Sequence, residues 1–359
     1  MNRLLQGDVG SGKTIVAIMS VIIAVENNFQ SCIVAPTEIL AQQHFSSFIN
    51  YLSDININIE ILTGSTTKLQ RNLILSDLII GKIDVLIGTH ALFEDDVRFK
   101  NLGYVVIDEQ HKFGVKQRSK MWKKNNPPPH VLIMTATPIP RTLTMSIYGD
   151  LDISIIDEMP PGRKDIVTVH RKDSNRLKVF AFLKDQIKSG RQVYIVYPLI
   201  EESKKMDLKF LEDGYESLLR DFPRDKYQVG VLHGKMKNND KDFEMKRFIL
   251  GKTNILISTT VIEVGVNVPN ASVMIIESAE RFGLSQMHQL RGRVGRGSYE
   301  SYCILMTKDN LSNDAQTRIK AMTETNNGFK ISEIDLKLRG PGDVLGTRPV
   351  SYTHLRAHE

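Results

Sequence analysis

The chain of 359 residues is 41% hydrophobic and 25% charged, the balance of a soluble globular protein, with length for two domains of about 150 residues that each bury a core. Lys and Arg number 47 against 41 Asp and Glu, a net charge of +6 that permits a polyanionic partner without demanding one. Low-complexity and disulfide-scaffold classes are excluded: Cys32 and Cys303 fall far apart in apolar, strand-like runs, which suits reduced core thiols. No signal peptide, lipidation motif or apolar run of about 18 residues occurs, so the expectation is a cytoplasmic protein with no membrane partner.

Residues 3–6 read as a strand and 15–25 as an apolar helix. Between them Gly7-Asp8-Val9-Gly10-Ser11-Gly12-Lys13-Thr14 fits the phosphate-loop template G-x-x-x-x-G-K-[ST]. Gly7, Gly10 and Gly12 let the backbone turn so that successive N–H groups, Ser11 included, point at phosphate oxygens at a helix start. Lys13 offers a mobile charge to the outer phosphates, and the Thr14 hydroxyl can join the coordination of Mg2+. Near-continuous apolar runs at 31–35, 83–87, 104–107 and 131–134, with helical patterns at 38–52 and 68–80, predict a doubly wound parallel α/β lobe. Two prolines and a glycine within residues 157–164 mark a linker. Beyond it strands are expected at 192–197, 229–232, 254–257, 273–276 and 302–305, with helices at 177–188 and 240–250. A second lobe of the same class follows, without a second phosphate loop.

Asp108-Glu109-Gln110-His111 closes a buried strand, at the carboxyl edge where α/β proteins place their sites. Asp108 is placed to hold Mg2+ through its water shell and Glu109 to position or deprotonate the attacking water; His111 senses the γ-phosphate or satisfies a local hydrogen bond. Thr135-Ala136-Thr137-Pro138 ends another such strand, where Thr135 and Thr137 could couple phosphate state to the cleft; a turn with Thr137 as N-cap is equally good physics. In the second lobe, Gln289-Leu290-Arg291-Gly292-Arg293-Val294-Gly295-Arg296 offers Arg293 and Arg296 to a triphosphate held by the first, while Arg291 can serve nucleic-acid phosphate.

This series of motifs, with Ala35-Pro36-Thr37-Glu38, Gly88-Thr89-His90, Leu232-His233-Gly234-Lys235 and Ser258-Thr259-Thr260 through Gly265, resembles superfamily 2 helicases in order and spacing. More narrowly it is similar to the RecG family of branch-migration helicases over nearly all of residues 2–348. The resemblance implies two tandem RecA-like lobes, ATP and Mg2+ as cofactors, and a translocase acting on branched or double-stranded DNA in repair and recombination, working as a monomer. Carried over, Pro36, Thr37, Thr89, His90, His233, Gly234, Thr259 and Thr260 contact the DNA backbone, Gly265 lies near the ribose, and Gln289 near the nucleotide. Residues 328–348, with Arg339 and Arg348, look like the TRG element shared with the transcription-repair coupling factor, which turns lobe closure into DNA movement. The expected organisation is lobe 1 at 1–158, linker 159–165, lobe 2 at 166–306, a helical and loop TRG element at 307–348, and a non-native tail at 349–359. The phosphate loop lies so near Met1 that the sequence reads as a motor-core fragment without the family's N-terminal wedge domain or adenine-binding segment. The alternatives are a non-catalytic, ATP-switched DNA-binding module and, within the class, a coupling-factor motor.

Overall fold

The computed structural model describes residues 1–109, 124–136, 151–160, 163–198, 214–259, 268–297 and 299–339, with the side chains of Asn238 and Arg339 outside that description. The described residues up to 160 form one compact unit and those from 163 onward a second. In the first unit β1 (Asn2–Gly7), α1 (Lys13–Glu26), β2 (Gln30–Val34), α2 (Glu38–Tyr51), β3 (Ile59–Leu62), α3 (Lys68–Ile80), β4 (Val85–Gly88), β5 (Leu102–Asp108), β6 (His130–Thr135) and β7 (Asp152–Ile156) follow in order. The strands form one parallel sheet, β3-β4-β2-β5-β6-β1-β7.

Neighbouring residues on the central strands feed opposite cores. Ile33, Ile87 and Val106 pack with Ile18 and Val21 of α1 and Phe48 of α2. Their neighbours Cys32, Leu86 and Val105 pack on the other face with Ile74 and Leu78 of α3. A strand covered on both faces has no polar side, so its sequence is a continuous apolar run. Thr37 begins α2 by accepting the Leu40 N–H at 3.3 Å, and Gly81, at φ 83°, ends α3 in the left-handed conformation that glycine adopts without strain.

The second unit contains β8 (Ile166–Lys172), α4 (Arg176–Lys188), β9 (Gln192–Tyr197), β10 (Val229–Leu232), α5 (Asn238–Ile249), β11 (Ile255–Thr259), β12 (Ala271–Ile276), α6 (Leu284–Arg291), β13 (Ser301–Thr307), α7 (Asn313–Glu324) and α8 (Gly328–Arg339). Its parallel sheet runs β10-β11-β9-β12-β13-β8, repeating the first sheet's order place for place from β3 to β1. The likeness extends to a buried glutamine at corresponding strand starts. Gln30 Nε2 donates to the Leu78 and Ile83 carbonyls at 3.0 and 2.7 Å. Gln192 Nε2 donates to those of Phe248 and Thr253, both at 2.7 Å.

The fold is that of two parallel-sheet lobes, as expected. The sequence reading passed over β3, β7 and β8, and each lies at a sheet edge. An edge strand is open along one side, so these three mix exposed and half-buried residues and lose the continuous apolar signature.

Candidate nucleotide and nucleic-acid site

Strand β1 delivers Gly7 beside Ile156 of β7. A Cβ at Gly7 would lie 2.4 Å from Ser11 Oγ and 3.2 Å from Ile156 Cβ, so only glycine lets the loop fold back this tightly. Gly10 and Gly12 have φ of 78° and 95°; Gly12 is the N-cap of α1, and its carbonyl accepts the Ile15 N–H at 3.0 Å. Lys13 reaches back across the loop, its Nζ 2.8 Å from the carbonyls of both Gly7 and Asp8, which puts a cation at the loop's mouth. Thr14 is half-buried, while Ser11 Oγ is buried with no hydrogen-bond partner among the described residues.

One strand, β6, separates β1 from β5, so Asp108 at the end of β5 lies two inter-strand spacings, about 10 Å, across the sheet from Leu5, just before the loop. Glu109 turns sharply after it, with φ 49°, a conformation that costs a non-glycine residue about 1–3 kcal/mol and collects at functional sites. The turn is held from β6: Glu109 N–H donates to the Met134 carbonyl at 3.0 Å, and Glu109 Oε1 accepts the Ala136 N–H at 3.2 Å. The side chain is thereby buried, at 4% exposure. Within the Thr-Ala-Thr-Pro segment the Ala136 amide touches Glu109, and Thr135 is buried one residue earlier, opposite Gln6 of β1. Asp108 Oδ2 lies 3.0 Å from Nε2 of His44 on α2, a partner that the sequence reading missed.

In the second unit, Gln289 sits half-buried on α6. The Arg293 N–H, just past the helix, donates to the Leu290 carbonyl at 3.0 Å, and its side chain is 4% exposed. Arg296 is half-buried, its Nε donating to the Gly292 carbonyl at 3.3 Å. Burial, and then the nearby Arg293, pull its guanidinium down to about 9, which still leaves Arg296 cationic at neutral pH. Two crowded cations of this kind suit an anion carrying more than one charge. Gly295, at φ 76°, has no room for a side chain, since a Cβ would lie 2.8 Å from Ile166 Cγ1.

Arg291 corrects an expectation. Far from facing nucleic acid, it is 2% exposed, with Nη1 donating to the Met322 and Thr325 carbonyls, both at 2.9 Å, and Nη2 3.0 Å from His288 Nδ1. It ties α6 to the end of α7, and the adjoining contact of Ser285 Oγ with Asp335 Oδ2 at 2.9 Å ties α6 to α8.

Residues 1–146 match the DEAD/DEAH box helicase family, and residues 176–298 match the helicase conserved C-terminal domain. The ATP-dependent DNA helicase RecG of Aquifex aeolicus is 52% identical over 99% of this chain and 45% of its own. That of Bacillus subtilis is 51% identical over 97% of this chain and 51% of its own. The solved structure of RecG bound to a three-way DNA junction superposes with a TM-score of 0.83 at 46% identity, over 96% of this chain and 44% of that one. Over almost its whole length the chain is similar to RecG helicases. It spans about half the length of the relatives that it matches.

The RecG-type site fits a nucleoside triphosphate: a glycine cradle that a Cβ would fill, a buried Ser11 hydroxyl, Lys13 at its mouth and two carboxylates on the same sheet edge. Among the described residues no cluster of three or more His, Cys, Asp and Glu could hold a metal. Among the described residues, also, no helix is long and apolar enough to cross a membrane.

Of the expected DNA contacts, Pro36, Thr37 and His233 are half-buried and His90 and Gly234 exposed. Thr89 and Thr259 depart from expectation. At 1% and 3% exposure their hydroxyls are enclosed at the ends of buried strands. The lobes' shared topology exposes a loop that the sequence reading did not weigh. Thr63 to Thr67 follows β3 as His233 to Lys237 follows β10, with the same turn: Thr66 N–H to the Thr63 carbonyl at 3.3 Å and Met236 N–H to that of His233 at 3.2 Å. Glu38 braces the first loop, accepting from Ser65 N–H and Oγ at 3.1 and 2.8 Å. His111, Thr137, Thr260, Gly265 and Arg348 lie outside the described residues, as does the Arg339 side chain.

Proposed function

We propose that this chain is the motor core of a RecG-type DNA helicase, which binds ATP with Mg2+ and couples its hydrolysis to translocation along double-stranded DNA at forks and junctions, in repair and recombination. The phosphate loop and Gly265 hold the nucleotide, Thr14 and Asp108 hold the cation, and Glu109 orients and deprotonates the attacking water. Arg293 and Arg296, with Gln289 beside them, stabilise the charge that develops on the γ-phosphate when the lobes close. His111, Thr135, Thr137, Arg339 and Arg348 couple that closure to movement. Pro36, Thr37, His90, His233, Gly234 and Thr260 track the DNA backbone, and the Thr63 to Ser65 loop joins them; such contacts position without reading bases. The protein works as a monomer in the cytoplasm. Lobe 1 then takes residues 1–158 and lobe 2 residues 166–306, with a TRG element at 307–348.

The observation that carries this reading is Glu109: a buried carboxylate in a strained turn, held by the Ala136 amide, on the sheet edge that bears a complete phosphate loop. A non-catalytic switch has no evident use for it. ATP hydrolysis is to be measured with no DNA, duplex and forked DNA. Lys13→Ala should weaken nucleotide binding, and Glu109→Gln should bind nucleotide as the parent does and lose turnover by a factor of about 100 or more. Parent-rate hydrolysis by Glu109→Gln would sink the catalytic assignment.

A further inference from the structure

The buried stripe of α2 runs Leu40, Ala41, His44, Phe48, the spacing of a helix face packed on a core. Three of these positions are apolar and the fourth is an imidazole, only 7% exposed. A buried polar side chain is costly unless it has a partner, and this one's partner is the Asp108 carboxylate, at 3.0 Å. A carboxylate only accepts, so His44 donates from Nε2. With Oδ2 committed to His44, Oδ1 is the oxygen left for a hydrated cation at the phosphate loop.

We propose that His44 is a positioning residue for the nucleotide site: it holds Asp108 in one rotamer and one orientation, so that the carboxylate meets the cation without reorganising. Resting on the RecG-type reading of Asp108, the inference adds a residue that no motif in the sequence singled out. Groups that hold a cation's carboxylate in place typically carry a 10–100-fold effect on metal affinity or activity when removed.

The test uses the full chain with His44→Ala and His44→Gln, the latter keeping an N–H at about the reach of Nε2. Binding of a fluorescent ADP is titrated at a series of Mg2+ concentrations, the melting midpoint is recorded, and kcat and KM for ATP are measured with forked DNA. His44→Ala should raise the Mg2+ concentration that half-saturates nucleotide binding by at least about tenfold. It should lower kcat by a similar factor with KM at saturating Mg2+ changed less than twofold, and His44→Gln should recover most of both. A purely structural histidine would lower the melting midpoint and leave the Mg2+ dependence of the folded protein where it was. That result, or a Gln variant no better than Ala, overturns the proposal. A parent chain without ATPase counts against the helicase reading, while the Mg2+ titration in the same samples still decides the role of His44.

Discussion

Replacing Arg291 by alanine separates a structural role from a nucleic-acid contact. The guanidinium is enclosed and donates to the Met322 and Thr325 carbonyls and toward His288. Truncation strands two acceptors at the end of α7, each at a cost of about 1–3 kcal/mol, with some relief from no longer burying a charge. A net loss of about 3 kcal/mol is therefore expected. For a lobe of this size each kcal/mol moves the midpoint by about 2–4 °C, so the second lobe should melt roughly 6–12 °C lower. Calorimetry or near-ultraviolet circular dichroism follows it, with duplex DNA affinity measured below the transition at several salt concentrations. If Arg291→Ala melts with the parent but loses DNA affinity with a shallower salt slope, the side chain meets phosphate and the burial argument is wrong.

Two further outcomes follow from individual sites. Gly7→Ala puts a Cβ 2.4 Å from Ser11 Oγ and should lower nucleotide affinity more than tenfold with little change in the first lobe's melting; an unchanged affinity in a fluorescent-nucleotide titration would show that the loop can open to fit a methyl group. His170, 2.8 Å from Thr307 Oγ1, is held below its ordinary value chiefly by burial and then by Lys172 and Arg171, with Glu280 opposing. Its folded form thus favours the neutral ring. That contribution to stability is complete above the unfolded value of about 6.5 and is lost as pH falls below it. His170→Gln should accordingly flatten the acid limb of a stability-against-pH curve measured by urea denaturation; an identical limb would assign the acid sensitivity elsewhere.

The phosphate loop, the Asp108-Glu109 pair and the arginine series were legible because each is a short, contiguous word whose spacing is dictated by chemistry close to the backbone. The central strands were legible because burial on both faces leaves no polar position. His44 was not, since its meaning lies in a contact with a residue far along the chain; the only local sign was a polar residue on the apolar stripe of a helix. Arg291 misled for the reverse reason. In a run of arginines and glycines nothing local tells a cation turned inward onto carbonyls from one turned outward to phosphate.

The sequence by itself determined the likeness to RecG helicases and the two-lobe parallel architecture, and it marked the residues proposed for the nucleotide cradle, because periodicity and motif spacing are local properties. Only the tertiary structure decided which side chains are enclosed, as at Thr89, Thr259 and Arg291. It alone placed Ala136 on Glu109 and His44 on Asp108, and it alone revealed the second lobe's sheet as a repeat of the first. Each of these depends on segments distant in sequence being brought together, and the order in which strands and helices assemble is not written in any single stretch of the chain.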